Sequence, residues 1–277
     1  MHLNKYSRRK FIGISSVLAG VPGTVLALIR QSADGKASAG KLKVNFQSVE
    51  NVPDLQRIAL LLKQDKPLKW LFTGDSITAG VEHTHGYRSY SEIFEECIHW
   101  ELKRSRDVVI NTGISGNTTV DILEDFNWRI EQFKPETVSL MIGTNDCARK
   151  EMTTEIFEEK LNILLDKIRG IDAIPILHTP NVIIKKYASE RTDLPEYVKA
   201  IQKTAEKKKI ILVDNYAYWE DVIKNYSGIN VFDEWLNDPL HPNGRGHKEI
   251  ARLMFKELFI FNLNDATCGG KYYEGKH

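Results

Sequence analysis

The stretch Leu71-Phe72-Thr73-Gly74-Asp75-Ser76-Ile77-Thr78-Ala79-Gly80 sets the frame for the rest of the chain. Its first residues, with Trp70 just before them, are apolar and predict a short buried strand. Small residues follow and predict a turn with Ser76 at its crest. A serine that stands clear of a strand end has room to attack, so Ser76 is a candidate nucleophile. The pattern is not G-x-S-x-G, because Thr78 stands where the second glycine would be, and a Gly-Asp-Ser tripeptide alone commonly marks a simple turn.

Composition is that of a globular protein with one large domain or two small ones. The chain has 277 residues, of which 42% are apolar and 27% charged, and its net charge is +1. Residues 1–39 hold six of the 38 basic and one of the 37 acidic residues, so residues 40–277 are mildly acidic. A mildly acidic domain gives no reason to expect nucleic acid as a partner. Cys97, Cys147 and Cys268 are too few and too scattered for a disulfide framework or a zinc site.

The N-terminus explains this uneven charge. Ser7-Arg8-Arg9-Lys10-Phe11-Ile12 opens onto an uncharged run from Phe11 to Ile29, and small residues follow. The segment resembles a twin-arginine export signal, so we expect residues 1–39 to direct the protein to the periplasm or beyond. We expect cleavage after Ala39 or, alternatively, after Ala27. A retained membrane anchor is the other interpretation, because about 20 apolar residues suffice to span a bilayer.

From residue 69 onward, short apolar runs alternate with amphipathic ones. Strands are predicted at Trp70–Phe72, Val108–Asn111, Thr137–Ile142, Ile174–His178 and Ile210–Val213. Helices are predicted over 87–104, 118–133, 153–170, 195–208 and 244–261, and Leu55, Ile58, Leu61 and Leu62 also keep helical spacing in the polar lead-in. Strands that alternate with helices of this length predict an α/β fold, with a parallel sheet of about five strands covered on both faces. No repeat or linker interrupts the pattern, so residues 40–277 are predicted to form a single domain.

Four short stretches carry the polar chemistry, and three of them follow a predicted strand. They are Gly74-Asp75-Ser76, then Asn111-Thr112-Gly113-Ile114-Ser115-Gly116-Asn117-Thr118-Thr119, then Gly143-Thr144-Asn145-Asp146, and finally Asp238-Pro239-Leu240-His241-Pro242 in a loop before the last helix. Sites of parallel sheets lie beyond the carboxyl ends of the strands. The first three stretches are therefore expected to meet at that edge.

Together these stretches supply what acyl transfer requires. A neutral serine needs a base within hydrogen-bond reach, and histidine suits because its pKa lies near neutrality. His241 is the candidate base, and Asp238, three residues before it, is the candidate carboxylate that fixes its tautomer. An oxyanion needs donors, which the Ser76 N–H, the Gly116 N–H and the Asn145 amide can provide.

The four stretches, in this order and spacing, resemble the GDSL/SGNH hydrolase superfamily over roughly residues 68–255. The resemblance implies that Ser76 is the nucleophile, that Gly116 and Asn145 are oxyanion donors, and that His241 is the base oriented by Asp238. It also implies a flavodoxin-like, three-layer α/β/α sandwich, with neither metal nor cofactor expected. Ile77 in place of the leucine of G-D-S-L is a conservative departure.

Nearby polar residues have simpler interpretations. Asp75 and Asp146 are interpreted as caps. His83 and His85 are interpreted as loop residues rather than metal ligands, because no third ligand is evident. His178 ends a predicted strand and is a candidate substrate contact.

The resulting expectation is an exported serine esterase that removes small acyl groups, above all acetyl, from carbohydrates. Its partner would be a glycan or small-molecule acyl ester, with no membrane contact after signal removal, and the sequence leaves the oligomeric state open. One rival is a lysophospholipase or thioesterase on the same scaffold, and a remote one is a metal-dependent phosphoesterase. Aromatic residues before the catalytic loop are interpreted either as a sugar-stacking surface or as core: Tyr216, Tyr218, Trp219, Tyr226, Phe232 and Trp235.

Overall fold

A computed structural model describes residues 53–268, so the export signal predicted over residues 1–39 lies outside the described part of the chain. All five strands pair in parallel, in the order β2-β1-β3-β4-β5. They are β1 (Lys69–Gly74), β2 (Val108–Asn111), β3 (Thr137–Met141), β4 (Ile174–His178) and β5 (Ile211–Val213). This strand order is the flavodoxin-like one, and it confirms the predicted sheet. The extent of the predicted domain, residues 40–277, stays a prediction.

Helices cover both faces of the sheet. Those of seven residues or more are α1 (Asp54–Leu62), α2 (Tyr90–Glu96), α3 (Thr154–Gly170), α4 (Leu194–Lys208), α5 (Asn215–Asn225) and α6 (Gly244–Glu257). Alternation along β1 separates two cores, because Trp70 and Phe72 join one hydrophobic cluster and Leu71 the other. Side chains of α1, α2, α5 and α6 contribute to the first cluster, those of α3 to the second, and those of α4 to both. The result is the predicted three-layer sandwich.

Capping residues explain where helices α2 and α6 begin. Ser89 and Glu92 form a capping box at α2. At α6, the side chain of Asn243 accepts hydrogen bonds from the N–H groups of Arg245 and Gly246 at 2.9 and 3.1 Å. This cap fixes the end of the loop that carries His241. Within residues 53–268, no helix is both long enough and apolar enough to cross a membrane.

Two helix predictions need correction. Residues 118–133 do not form one helix but three short pieces, Thr119–Glu124, Phe126–Arg129 and a 3₁₀ turn, Glu131–Phe133. The breaks fall at Asp125 and Ile130, whose backbone angles leave the helical region. The piece between them delivers the buried Arg129 side chain to the sheet edge. Residues 215–225, for which no helix was predicted, form α5.

The sheet brings the predicted polar stretches to one edge. The carboxyl ends of β1 and β3 are in register, with Gly74 paired to Met141, so Ser76 and Asn145 follow neighbouring strand ends. The stretch after β2 is tied back to β1 because the N–H of Ile114 donates to Gly74 O at 3.1 Å. As expected for a parallel sheet, polar residues from three strands lie at the carboxyl edge.

Candidate active site

Ser76 lies on a tight connection between β1 and a one-turn helix, Ser76–Ala79. Asp75 caps that helix, with Oδ1 accepting a hydrogen bond from Ile77 N–H at 3.0 Å, which confirms its interpretation as a cap. Gly74 must be a glycine, because a Cβ there would lie 2.1 Å from Met141 O. The turn leaves Ser76 only 5% exposed, near the surface and not crowded by a larger side chain at position 74.

Ser76, His241 and Asp238 form a continuous hydrogen-bonded chain. Ser76 Oγ lies 2.9 Å from His241 Nε2, and His241 Nδ1 lies 2.7 Å from Asp238 Oδ2. The other carboxylate oxygen of Asp238 accepts from the N–H groups of Leu240 and His241 at 2.7 and 2.8 Å. Because Asp238 is acceptor-only when ionised, Nδ1 carries the imidazole proton and Nε2 is free to accept one from Ser76.

The electrostatics of this pair suit a general base. Burial lowers the pKa of His241 below its ordinary value, and the hydrogen bond to Asp238 offsets part of that effect. Burial acts to raise the pKa of Asp238, but hydrogen bonds from His241 and Leu240 outweigh it and hold that pKa below its ordinary value. At neutral pH the imidazole is therefore neutral and the carboxylate charged, as proton acceptance from a serine requires.

His83 stacks on the candidate base. Its ring lies 3.8 Å from that of His241 with an interplanar angle of 9°, and the Asn237 side chain donates to His83 O at 2.6 Å. His83, Asp238 and His241 place one ligand atom each within 4.8 Å of one another. The lone pairs of the two imidazoles, however, lie in nearly parallel planes and do not converge on one point. The arrangement therefore fits a stacked base better than the metal centre that a phosphoesterase would need.

The candidate oxyanion donors lie on the loops after β2 and β3. Gly116 has φ 83°, a left-handed conformation that favours glycine, and its N–H has no acceptor within residues 53–268. Asn145 Nδ2 donates to Asn117 O at 3.1 Å, which ties the two loops together. Arg191 donates to Asn145 Oδ1 from the opposite side at 3.1 Å.

The side chain of Arg129 forms hydrogen bonds to the end of β1 and to the loop after β2. The side chain is fully buried, and Nη2 donates to Gly74 O at 2.9 Å and to Thr112 O at 2.8 Å. Nη1 donates to the side-chain oxygen of Asn117. One guanidinium therefore links the end of β1 to Thr112 and Asn117, which lie on either side of Gly116 in the loop after β2.

Two buried carboxyl groups lie behind the site. Burial raises the pKa of Asp75 to about 7, and burial also raises the pKa of Asp146. Asp146 Oδ1 accepts hydrogen bonds from Thr119 N–H and Oγ1 at 2.9 and 2.6 Å. Asp146 therefore caps the helix Thr119–Glu124 rather than the segment that follows it.

The structure decides two of the sequence-based interpretations. His178 is fully buried and shares a hydrogen bond of 2.9 Å with Ser139 Oγ, so its interpretation as a substrate contact is wrong. Of the aromatic segment before the loop, Tyr216, Trp219 and Trp235 are buried, which favours the core interpretation. The exposed aromatics beside the catalytic loop are instead Tyr87, against Gly244, and Tyr187, in a segment that contacts Pro239 through Ile184.

Comparison with known proteins consistently finds ester hydrolases. Residues 72–249 match the sequence profile of the GDSL-like Lipase/Acylhydrolase family. An acetylxylan esterase of Geobacillus stearothermophilus is 28% identical over 209 residues, covering 69% of this chain and 93% of that protein. An arylesterase of Vibrio mimicus is 26% identical, covering 69% and 88%.

Solved structures agree on the fold. An α/β hydrolase enzyme, LAE5, from the metagenome of Lake Arreo, Spain, is 25% identical with a TM-score of 0.60, covering 70% of this chain and 96% of that one. Axe2, an acetylxylan esterase from Geobacillus stearothermophilus, is 24% identical with a TM-score of 0.58, covering 69% and 94%. Three further Axe2 structures are of catalytic mutants in which a serine, an aspartate or a histidine is replaced.

Proposed function

The chain belongs to the GDSL-like lipase/acylhydrolase family and is a carboxylic ester hydrolase, and on that premise we propose an exported serine esterase that removes acetyl groups from carbohydrates. The observation that carries the proposal is the hydrogen-bonded chain Ser76–His241–Asp238, with distances of 2.9 and 2.7 Å. That geometry matches the requirements of a serine nucleophile with an oriented general base.

The proposed reaction has two halves. Ser76 Oγ attacks the ester carbonyl while its proton passes to His241 Nε2, and Asp238 stabilises the imidazolium that results. The N–H groups of Ser76 and Gly116 and the Asn145 amide stabilise the oxyanion. His241 then gives its proton to the departing sugar hydroxyl, which leaves an acyl-serine. A water molecule then gives a proton to His241 and attacks the acyl-serine carbonyl. The bond to Ser76 Oγ breaks, His241 returns the proton to that oxygen, and acetate leaves.

Several observations support a carbohydrate acetyl ester as substrate. The acetylxylan esterase relative spans most of the chain. Tyr87 and Tyr187 are 68% and 67% exposed in segments that contact the catalytic loop or its flank, and exposed aromatic faces can stack on sugar rings. Lys186 Nζ lies over one face of the Tyr187 ring, at 5.2 Å, which leaves the other face for a ligand. Val182 and Ile183, an apolar pair whose neighbour Ile184 contacts the loop that carries His241, are buried in the core and so do not line a channel for a long acyl chain. The basic, twin-arginine-like segment at the N-terminus supports export to the periplasm or beyond, where glycans are available.

Acyl-chain length is the sharpest test of the proposed substrate. We expect kcat/KM for 4-nitrophenyl acetate to exceed that for 4-nitrophenyl octanoate by about tenfold or more, because Val182 and Ile183, beside the loop that carries His241, are buried in the core. Acetate release from acetylated xylo-oligosaccharides tests the carbohydrate, with the Ser76→Ala variant as the background. A faster octanoate reaction would favour the lysophospholipase or thioesterase alternative.

The oxyanion role of Asn145 makes a separate prediction. Asn145→Ala should lower kcat by about a hundredfold or more and leave KM nearly unchanged, because the donor acts on charge that exists only in the transition state. Steady-state kinetics with 4-nitrophenyl acetate measure both constants. A rise in KM at constant kcat would make Asn145 a residue of substrate binding instead.

The pH profile tests the base. We expect kcat/KM to fall toward acid as His241 gains a proton, with an inflection below the ordinary histidine pKa of about 6.5, since burial lowers its pKa. Asp238→Asn removes the carboxylate that offsets this effect, so the inflection should move to still lower pH while the rate falls.

A control separates His241 from the buried carboxyl group of Asp75. Asp75→Asn removes the buried carboxyl whose pKa is about 7 and keeps a residue able to cap the helix. The acid inflection should survive this change. Its disappearance in Asp75→Asn, or an unmoved inflection in Asp238→Asn, would contradict the assignment of the base.

A further inference from the structure

Arg191 reaches the candidate oxyanion site from a part of the chain outside the four polar stretches. It ends a short turn, Ser189–Arg191, and its side chain is only 16% exposed. Nε donates to Thr144 O at 3.1 Å, and Nη2 donates to Asn145 Oδ1 at 3.1 Å. The remaining Nη1 pairs with the Glu190 carboxylate. The guanidinium therefore donates hydrogen bonds to two consecutive residues of the loop after β3.

These contacts determine which end of the Asn145 amide faces the substrate. Oδ1 accepts from Arg191, and one N–H of Nδ2 donates to Asn117 O at 3.1 Å. A flipped amide would set Oδ1 against the Asn117 carbonyl and the amide N–H groups against the guanidinium. Both hydrogen bonds would then be lost, because each would bring two acceptors or two donors together. Only the observed orientation satisfies both neighbours. In that orientation the second N–H of Nδ2 bonds to neither Arg191 nor Asn117 O.

We infer that Arg191 is a positioning residue that holds the Asn145 amide with its free N–H directed at the oxyanion. The inference rests on the proposed function, because it takes Asn145 as an oxyanion donor. Arg191 acts through Asn145 and touches no reacting atom. Its positive charge on Oδ1 also polarises the amide, which strengthens the N–H as a donor. A planar fork with two separate acceptors, Thr144 O and Asn145 Oδ1, requires arginine rather than lysine.

A double-mutant cycle tests this role in the full chain. Arg191→Met removes the donors and keeps an apolar stem, and we expect it to lower kcat by about tenfold or more, with KM changed by less than about threefold. In the Asn145→Ala background the same change should cost less than about twofold, because the group that Arg191 positions is gone. Arg191→Lys should recover little of the lost kcat in the wild-type background.

Arg57→Met is the matched control. Arg57 is 20% exposed and also donates to a backbone carbonyl and a carboxylate, those of Asp172, but it lies on α1 before the first strand. Its loss should leave kcat within about twofold of wild type. Thermal melting of all variants checks that Arg191→Met remains folded, and the lysine variant supplies the same test if methionine does not fold.

Several outcomes would overturn the inference. An equal fold-loss from Arg191→Met with and without Asn145 would show that Arg191 supports the fold or the substrate by another route. A rise in KM alone would make it a substrate-binding residue. Wild-type kcat in Asn145→Ala would refute the proposed oxyanion donor itself, whereas a slow Asn145→Ala combined with additive losses refutes only the role of Arg191.

Discussion

Ser76→Ala should lower kcat for 4-nitrophenyl acetate by about 10⁴-fold or more while the protein stays folded. The change removes the oxygen that would form the acyl-enzyme, and the oxyanion donors that remain supply only residual catalysis. Folding should survive because the variant deletes one oxygen and no core volume. Asp75, which caps the helix after β1, keeps its hydrogen bond to Ile77 N–H.

Three measurements decide this prediction. Stopped-time assays give kcat, thermal melting shows that the variant is folded, and mass spectrometry after treatment with a serine-directed phosphonate locates the label. The label should fall on Ser76 alone. Ser115→Ala is the matched control, because Ser115 carries an exposed hydroxyl near the site that lies 3.4 Å from His83 Nε2. It should remain within about threefold of wild type.

Three results would contradict the serine mechanism. The first is a wild-type rate in Ser76→Ala, and the second is a phosphonate label on another residue. The third is complete loss of activity in a metal chelator, since the proposed mechanism contains no metal-dependent step. That third result would instead support the phosphoesterase alternative.

The sheet and the polar residues at its edge were predictable because their signals are local. Buried parallel strands are near-continuous apolar runs, and the polar stretches follow them directly in the chain. Ser76, Gly116 and Asn145 lie near one another because parallel strands end at a common edge. Their predicted placement needed only the strand order, and His241 needed one further contact, its hydrogen bond to Ser76.

The supporting arginines were not predictable in this way. The partners that give Arg129 and Arg191 their roles in the site are 12 to 55 residues away in the chain, and nothing in the neighbouring sequence separates these two from the many exposed arginines of a globular protein. Charged side chains are normally solvated, so sequence alone favours the surface. Some of their acceptors are backbone carbonyls, which every residue supplies. The others are side-chain amide oxygens, which many residues of a chain supply.

The sequence does contain a signal that predicts helix α5. Tyr216, Trp219 and Val222 recur every three residues, and all three are buried, as one face of an amphipathic helix would be. Aromatic content alone leaves a binding surface and a packed core both open, and this spacing favours the packed core. Trp219 and Trp235 meet edge to face at 5.0 Å, which places the aromatic bulk of this segment in the core.

Replacement of the base should cost nearly as much as loss of the nucleophile. His241→Ala removes the imidazole nitrogen that lies 2.9 Å from Ser76 Oγ, and with it the proposed proton acceptor, whereas His83 stacks on the ring of His241. Asp238→Asn should cost less than either change, because serine and imidazole remain and only control of the tautomer and stabilisation of the imidazolium are lost.

The decisive measurement is kcat/KM for Ser76→Ala, His241→Ala and the double variant. Because the two residues act as one unit, the double variant should lose no more than about threefold beyond the worse single variant. His83→Ala serves as the comparison, since it removes the stacked ring and leaves the chain from Ser76 to Asp238 intact. A double variant whose loss equals the product of the two single losses would show that Ser76 and His241 act independently, and the proposed triad would be wrong.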